Sequence, residues 1–140
     1  MRIIKKAQIK QILTPQRKQY LLSELNRQVE RYEREIEQLR FQMQKQLKAV
    51  QDSRRIKTKE RFEKEIHKRL EKIRAADFQK SQLEQIPLET EMPDGTVDTL
   101  CLVEEGDDWE NIMQEDEIII KNGKVHEIRK GRSEDDNELV

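Results

Sequence analysis

The chain has 140 residues, of which 41% are charged and only 34% are hydrophobic. This composition excludes one large globular core, because too few apolar side chains are available to fill it. The single cysteine, Cys101, excludes an intramolecular disulfide framework, and no apolar run is long enough to span a bilayer. Since no signal-peptide pattern is found either, we expect a cytoplasmic protein without a membrane segment.

The net charge of −1 conceals a strong asymmetry between two parts of the chain. Residues 1–86 hold 23 Lys and Arg against 12 Asp and Glu, whereas residues 87–140 hold 5 against 17. The first part therefore carries a net charge of +11 and the second a net charge of −12. This division predicts either a polyanion-binding site on the basic part or attraction between the two parts.

Residues 1–14 are predicted to contain a strand. Apolar residues alternate imperfectly with polar ones up to Leu13, and β-branched residues are frequent, as is typical of strands. A short amphipathic helix is the alternative, because Ile4 and Ile12 fall on the other face. Thr14-Pro15 then predicts the start of a helix, with a hydroxyl at the N-cap and a proline in the first turn.

A helical arm is predicted over residues 15–86. No glycine or proline occurs between Pro15 and Pro87, and both residue types disfavour helix interiors. Apolar residues recur there at alternating spacings of three and four, which indicates a coiled-coil seam. The seam consists of Leu22, Leu25, Val29, Tyr32, Ile36, Leu39 and Met43.

The heptad pattern fails in the middle of this arm. Its register would place Lys57 and Glu60 at core positions, and apolar residues resume in a different register from Phe62. We therefore predict two antiparallel helices, at about 15–51 and 57–85, that bury their apolar stripes against each other. A continuous rod that associates in parallel with other copies is the alternative.

Residues 87–130 are predicted to form a small β module. A turn at Pro93-Asp94-Gly95 precedes a strand at 96–103, and Asn122-Gly123 between two apolar runs predicts a hairpin with a type I′ turn. About forty residues give only a marginal core, so the module should recruit the N-terminal strand or oligomerise. The predicted fold class is therefore α+β.

Two further expectations concern the C-terminal region. Trp109, the only tryptophan, is expected in the core of the β module, since large aromatic side chains bury much apolar area. The acidic tail at residues 131–140 is rich in charged and small residues. We expect this tail to be disordered, because it has too few apolar side chains to pack.

The two ends of the chain carry a resemblance to a known family. The opening IKQILT at residues 9–14, the closing VEEGDDW at 103–109 and IIIKNGKV at 118–125 resemble the YlqD-like family of small bacterial proteins of unknown function. The resemblance implies a bacterial origin. It implies no catalytic or binding residue, because these end segments are structural turns and strands.

No motif for catalysis, cofactor binding or metal binding is found. The two histidines, His67 and His126, lack the spacing of a zinc site, and Cys101 has no second cysteine for a metal or redox motif. The acids around Gly106 do not match the calcium-binding loop. We therefore expect a protein that is not an enzyme and that needs no cofactor or metal.

Basic residues provide the only candidate binding site. Ten of them fall between residues 54 and 74, and several of these crowd the predicted junction of the two helices. Cations at such a tip could contact the phosphates of RNA or DNA without reading bases. A solvated helix surface is the structural alternative. The candidate contacts are Arg54, Arg55, Lys57, Lys59 and Arg61.

Three functions are compatible with this organisation. The first hypothesis is a non-enzymatic interaction or scaffold protein, which self-associates and docks a protein partner through its basic arm and acidic module. The second is an RNA- or DNA-associated factor that binds phosphates through the basic helical tip. The third is a chaperone-like clamp, which rests on the predicted architecture alone.

Overall fold

The computed structural model describes residues 1–133, and the chain divides into two compact units. The first unit, which we call the sheet module, combines residues 1–17 with the chain from Pro87 onward. The second unit, the helical arm, comprises Lys18–Ile86. The module contains a four-stranded mixed sheet built from both ends of the chain. This confirms the predicted α+β class and the recruitment of the N-terminal strand.

The sheet consists of β1 (Arg2–Ile12), β2 (Glu91–Leu102), β3 (Asp116–Lys121) and β4 (Lys124–Arg129), in the spatial order β2-β1-β3-β4. Strand β1 pairs antiparallel with β2 and parallel with β3, and β3 pairs antiparallel with β4. Strands β2 and β4 are therefore the two edges. A short helix, α3 (Trp109–Ile112), lies in the connection between β2 and β3.

The core of the module is small and is assembled from distant parts of the chain. Leu13, Ile112 and Ile119 are almost completely buried, and Ala7 and Cys101 are nearly so. Each large apolar side chain contributes about 1.5–3 kcal/mol when it leaves water. With so few of them, the module needs residues from both chain ends to complete its core.

One charged side chain, that of Lys5, is buried in this core. Its Nζ donates hydrogen bonds to the carbonyl oxygens of Ile112 (3.0 Å) and Gln114 (2.8 Å), and it lies 3.7 Å from a carboxylate oxygen of Asp116. An unpaired ammonium would be costly at this position, and these three partners offset the cost of burying it. The same bonds hold the β2–β3 connection against β1.

Strand β2 is longer than the sequence predicts. The predicted turn at Pro93-Asp94-Gly95 lies inside the strand, which begins at Glu91. The three residues fit because the β1–β2 register shifts between Gln8 and Lys10 and because the glycine adopts a φ of +84°. The proline is tolerated because β2 is an edge strand with one unpaired side.

The hairpin of β3 and β4 has the predicted type I′ turn. Asn122 and Gly123 both have positive φ, at 48° and 79°, as this turn requires. The predicted N-cap is also present, since Thr14 Oγ1 accepts a hydrogen bond from the backbone N–H of Arg17 (3.1 Å). The same hydroxyl donates to Oδ1 of Asn122 (2.6 Å), which ties the hairpin turn to the helix start.

The expectation that Trp109 belongs to the module core is wrong. Its side chain is 59% exposed at the start of α3, whereas Ile112 is 1% exposed and fills the core. The helix has only four residues, so a single turn supplies one inward position. The smaller side chain of Ile112 occupies that position.

The predicted tail at 131–140 falls largely on residues 134–140, which lie outside the described residues. Its first three residues are held by hydrogen bonds. The N–H of Gly131 donates to Oδ1 of Asp116 (2.9 Å), and Ser133 exchanges two hydrogen bonds with the side chain of Asn111. The described part of the tail therefore closes over the β2–β3 connection.

The helical arm contains two long helices, α1 (Pro15–Ala49) and α2 (Asp52–Gln85). The contacts between them show an antiparallel course, which confirms the hairpin rather than the rod. No helix within residues 1–133 combines the length and the apolar character needed to cross a membrane. The cross-helix pairs at successive levels are Lys18 with Glu84, Asn26 with Lys80, Glu35 with Arg69, and Gln46 with Arg61.

The connection between the helices is shorter than predicted. Only Val50 and Gln51 separate them, and α2 begins at Asp52 rather than at residue 57. The segment contains no glycine or proline, and the carboxylate of Asp52 in the first turn interacts favourably with the helix dipole. Both features extend the helix toward the turn.

The predicted seam lies on the face of α1 that packs against α2. Ile36 is buried there, and the other six seam residues are half-buried. On α2 the buried residues are Phe62, Ile66, Ala76 and Leu83. Two helices cover each other on one side only, so most seam residues keep some exposure. Knobs-into-holes packing, which defines a coiled coil, stays a prediction.

Candidate functional site

The five cations predicted as a phosphate-binding cluster lie near the turn of the helical arm, but they do not form one cluster. The Nη1 of Arg55 folds back and donates a hydrogen bond to the carbonyl oxygen of Leu47 (2.6 Å), where it satisfies the end of α1. Lys59 approaches Glu63, with Nζ and Oε1 3.8 Å apart. These two cations are therefore engaged with the arm itself.

The other three predicted cations belong to a longer row on one face of α2. Residues spaced by three or four lie on the same face of a helix, and three more lysines continue this spacing. All six cations are exposed, and they extend about 27 Å along the helix axis at 1.5 Å per residue. We call them the basic row: Arg54, Lys57, Arg61, Lys64, Lys68 and Lys72.

Most charges of the basic row have no acidic partner. Lys68 lies 3.3 Å from Glu65. Arg61 donates a hydrogen bond from Nη2 to Oε1 of Gln46 (2.9 Å). The remaining four make no side-chain hydrogen bond or ion pair with any residue from 1 to 133, so their charges face solvent: Arg54, Lys57, Lys64 and Lys72.

One carboxylate beside the basic row is held ionised by its neighbours. Hydrogen bonds from Arg69 and then Lys68 lower the pKa of Glu65. Nη1 of Arg69 lies 3.0 Å from Oε2 of Glu65, and its Nε lies 3.7 Å from a carboxylate oxygen of Glu35 on α1. This network engages Arg69, which is half-buried, and one member of the row, Lys68.

The neighbouring side of α1 carries amides as well as the carboxylate of Glu35. The contact of Arg61 with Gln46 shows which side of α1 borders the basic row. One and two turns before Gln46 on that side stand Gln42 and Gln38, both exposed. Amide side chains both donate and accept hydrogen bonds, so these glutamines add uncharged polar groups beside the row.

Acidic residues border the basic row on α2. Glu60 lies three residues after Lys57 and four before Lys64, and Glu71 lies three after Lys68, so both are neighbours of the row; they are exposed, as is Glu63. Cations of the same helix partly neutralise these acids, since Arg74 lies 2.8 Å from Glu71 and Lys59 lies 3.8 Å from Glu63. Sequence reasoning found the tip but missed the row, although the spacing of its lysines is visible in the sequence.

The residues considered for metal or catalytic chemistry are not brought together. His67 is exposed on α2 and His126 is exposed on β4, whereas Cys101 is buried in the sheet module. Within residues 1–133, no group of three or more His, Cys, Asp or Glu side chains has an arrangement suited to a metal ion. In the acidic turn, the N–H of Glu104 donates to Oδ2 of Asp107 (2.8 Å), which closes the turn on itself.

The sheet module carries a second candidate surface, which is apolar. Ile4 on β1 and Leu100 and Leu102 on edge strand β2 are 68%, 67% and 56% exposed. Ile4 is the pairing partner of Leu100, so these side chains lie on one face of the sheet. We call these three residues the edge patch.

Comparison with known proteins identifies the family of the chain and a similar solved structure. Residues 1–129 match the model of a family described as YlqD protein. The chain is 40% identical, over 129 residues, to the "Uncharacterized protein YlqD" of Bacillus subtilis strain 168, across 92% of this chain and 98% of that one. It is also similar to the crystal structure of a protein of unknown function from Synechococcus sp. WH 8102, with a TM-score of 0.77 and 16% identity. That likeness covers 92% of this chain and 96% of the other, and it supports the fold alone.

Proposed function

The chain belongs to the YlqD protein family, and we propose that it binds nucleic acid through the basic row of its helical arm, without enzymatic activity. One observation carries this proposal: six exposed cations lie on one face of α2, and four of them have no partner among residues 1–133. A cytoplasmic location belongs to the same proposal, since nucleic acid is accessible there and Cys101 stays reduced.

The chemistry of the row suits phosphate contacts. Lysine and arginine side chains that neutralise phosphates release condensed counterions, which supplies most of the affinity in binding without sequence preference. The cations follow one another at about 4.5 or 6 Å along the helix axis, so neighbouring side chains can reach successive phosphates. Four of the six members of the row are lysines, which contact phosphates as point charges, so the expected contacts position the backbone and do not read bases.

The experiment is a titration of labelled structured RNA and duplex DNA with the full chain across a salt series, followed by fluorescence anisotropy. If four to six phosphates are engaged, log K should fall with log salt with a slope of about −3 to −5. A flat salt dependence, or no binding near 0.1 M salt, would reject nucleic acid as the ligand.

A matched pair of variants then separates the row from the overall charge. Lys57→Gln, Lys64→Gln and Lys72→Gln together should weaken binding by roughly tenfold or more and reduce the slope by about 2–3. The control removes the same charge elsewhere on the arm. Equal losses in both variants would show that net charge, and not the row, is responsible. The control substitutions are Lys48→Gln, Lys59→Gln and Arg74→Gln.

A second candidate function, an interaction or scaffold protein, is supported by the exposed apolar side chains of the sheet module. Besides the edge patch, Val125 and Ile128 on β4 are 63% and 57% exposed. These side chains form two separate groups, one at each edge of the sheet, and exposed apolar groups of this kind are candidate interaction sites. This function predicts association that persists in the row variant, whereas the nucleic-acid function predicts that the row variant loses its ligand.

The proposal does not extend to a chaperone-like clamp. A clamp would need apolar surface between its arms to hold a client. The stripes of α1 and α2 are instead packed against each other, and Phe62 and Ile66 are buried at 6% and 7% exposure. These side chains are therefore not available to a client while the arm is folded.

A further inference from the structure

The outer edge of β2 pairs with no other strand within residues 1–133, although Arg132 contacts it at the carbonyl oxygen of Leu102. Exposed edges attract additional strands, and proteins usually block them with charges, bulges or covering segments. The other edge, β4, has such protection, because its register with β3 shifts between Ile119 and Ile120 and its exposed side chains include Lys124 and Glu127. Residues 96–102 of β2 pair regularly with β1, and they include Leu100 and Leu102 of the edge patch.

The hydrogen-bond pattern shows which backbone groups of β2 face outward. Met1 and Val103 exchange two backbone hydrogen bonds, at 2.9 and 2.7 Å. Bonded and non-bonded pairs alternate along an antiparallel ladder. Leu102, Leu100 and Asp98 therefore direct their N–H and C=O groups away from β1, toward the open side. This is the side at which another strand can pair.

We propose that a second copy of this chain pairs with β2 in an antiparallel manner, about a two-fold axis at Leu100, and joins the two sheets into one of eight strands. In a symmetric antiparallel pair of strands, the residue on the two-fold axis stands opposite its own copy. With the axis at Leu100, the row across both copies reads Ile4, Leu100, the partner's Leu100 and the partner's Ile4. Four large apolar side chains that are each more than two-thirds exposed in one copy would then cover one another.

Charges agree with this register. Asp98 is already paired with Lys6, at 2.7 Å, and it would stand opposite the partner's Leu102, with Arg2 of the partner next in the row. No like charges meet on this face. An axis at Asp98 would instead place two carboxylates directly opposite each other, and an axis at Cys101 would place Asp98 opposite the partner's Glu104; both are destabilising. An axis at Thr99 brings no like charges together within residues 96–102, but it would set Leu100 against the partner's Asp98 and break the apolar row.

One contact at the edge has to coexist with the partner strand. The carbonyl oxygen of Leu102 accepts a hydrogen bond from Nη1 of Arg132 (2.9 Å), and Arg132 also lies 3.3 Å from a carboxylate oxygen of Asp107. A carbonyl oxygen has two lone pairs. The second faces the weak donor Sγ of Cys101, 3.8 Å away, which the N–H of the partner's Asp98 would displace. Beyond Leu102, the side chain of Arg132 blocks further pairing with a partner strand, so the pairing is limited to the edge patch.

The first test is sedimentation of the full chain, without nucleic acid, over a range of about 1–100 μM. A monomer–dimer equilibrium is expected, and Leu100→Asp should remove the dimer while circular dichroism and the thermal midpoint stay close to those of the parent. Ile56→Asp is the matched control, because Ile56 is 72% exposed on the arm and should leave the dimer intact. A monomer at all concentrations, or a dimer that survives Leu100→Asp, overturns the proposal.

The second test fixes the register without disturbing the patch. With the axis at Leu100, residue 99 stands opposite Cys101 of the partner in a non-hydrogen-bonded pair, where Cα atoms are about 4.5 Å apart. That distance allows a disulfide. Thr99→Cys should therefore form a covalent dimer on mild oxidation, whereas Thr96→Cys should not. Cross-linking of the unaltered chain through its own Cys101 would place the axis one residue away and would overturn this register.

Discussion

The helical arm and the sheet module are stabilised in different ways. The arm buries Ile36 of α1 and four residues of α2, none of them completely, and it depends as well on many half-buried side chains and on ion pairs. The module depends on a few side chains that are almost completely buried, such as Leu13 and Ile119. Its bonds also join residues far apart in the chain, as between Lys5 and Ile112. Stability is thus distributed in the arm and concentrated in the module.

This difference bears on where function can reside. Single exposed substitutions on a long helix cost little stability, because no one side chain dominates its packing. The exposed face of α2 can therefore carry a charge pattern such as the basic row at small structural cost. In the module, most inward positions are needed to complete a marginal core, so only its edges and its outer faces are free to bind.

Core substitutions in each unit test most directly whether stability is concentrated in the module and distributed in the arm. Ile119→Ala should destabilise the module by about 2–5 kcal/mol, because a fully buried side chain leaves a cavity. Leu25→Ala on the half-buried seam should destabilise the arm by less than about 2 kcal/mol. Denaturant titration with two probes measures both effects. Fluorescence of Trp109 reports the module, and far-ultraviolet circular dichroism reports the two long helices.

The two probes also make this prediction easy to contradict. Ile119→Ala should move the fluorescence transition to lower denaturant and leave most of the helical signal in place. Coincident loss of both signals would show that the arm has no stability of its own. A larger effect from Leu25→Ala than from Ile119→Ala would reverse the contrast between distributed and concentrated stability.

The helical arm and the sheet module also differ in how much of their structure could be predicted from the sequence. The arm was predictable because its pattern is local: helix-compatible residues from Pro15 onward and regular apolar spacing determine both helices and their pairing. The turn at Asn122-Gly123 was predictable for a similar reason, since positive φ at two adjacent residues is a local requirement. Even here the start of α2 was placed five residues late, because polar residues at the turn resemble a loop.

The module was less predictable because its determinants are distant in sequence. Nothing near Pro93-Asp94-Gly95 indicates that these three residues will lie inside a strand that pairs with β1 in a shifted register. Likewise, nothing local indicates that Lys5 will be buried by carbonyl groups more than a hundred residues away. Trp109 was placed in the core on residue type alone. The basic row, in contrast, could have been predicted by assigning the cations of α2 to helical faces in the same way as the apolar residues.

A second prediction, of smaller effect, tests how much the buried ammonium of Lys5 contributes to the stability of the module. Lys5→Met should destabilise the module by about 3 kcal/mol, because it leaves two buried carbonyl groups and Asp116 without their partner. The neighbouring Lys6 provides the control. Its side chain is 60% exposed and pairs with Asp98, so Lys6→Met should cost less than about 1 kcal/mol. Denaturant titration followed by Trp109 fluorescence measures both, and equal effects would mean that burial of Lys5 is not what holds the connection.

The smallest expected effect is a dependence on pH, at the ion pair that joins β4 to the start of β2. The guanidinium of Arg129 donates a hydrogen bond to Oε1 of Glu91 (2.6 Å) and holds the pKa of that carboxyl below its ordinary value of 4.5. A carboxyl whose pKa is lowered on folding contributes stability above its unfolded pKa and loses that contribution as the pH falls through its folded pKa. The pair should thus stabilise the module at neutral pH and cease to do so as the pH falls from 4.5 through the lowered pKa of Glu91.

Glu91→Gln isolates this contribution, since glutamine keeps the shape of the side chain and removes its charge. The thermal midpoint of the module should be slightly lower in Glu91→Gln than in the parent at pH 7, and the two should converge as the pH falls toward 3. Glu65→Gln on α2 is the matched variant in the arm, where hydrogen bonds from Arg69 and Lys68 also lower the pKa of the carboxyl. Because the arm distributes its stability, Glu65→Gln should change the helical transition less than Glu91→Gln changes the module. A constant difference across the pH range would show that Glu91 acts through its shape and not through its charge.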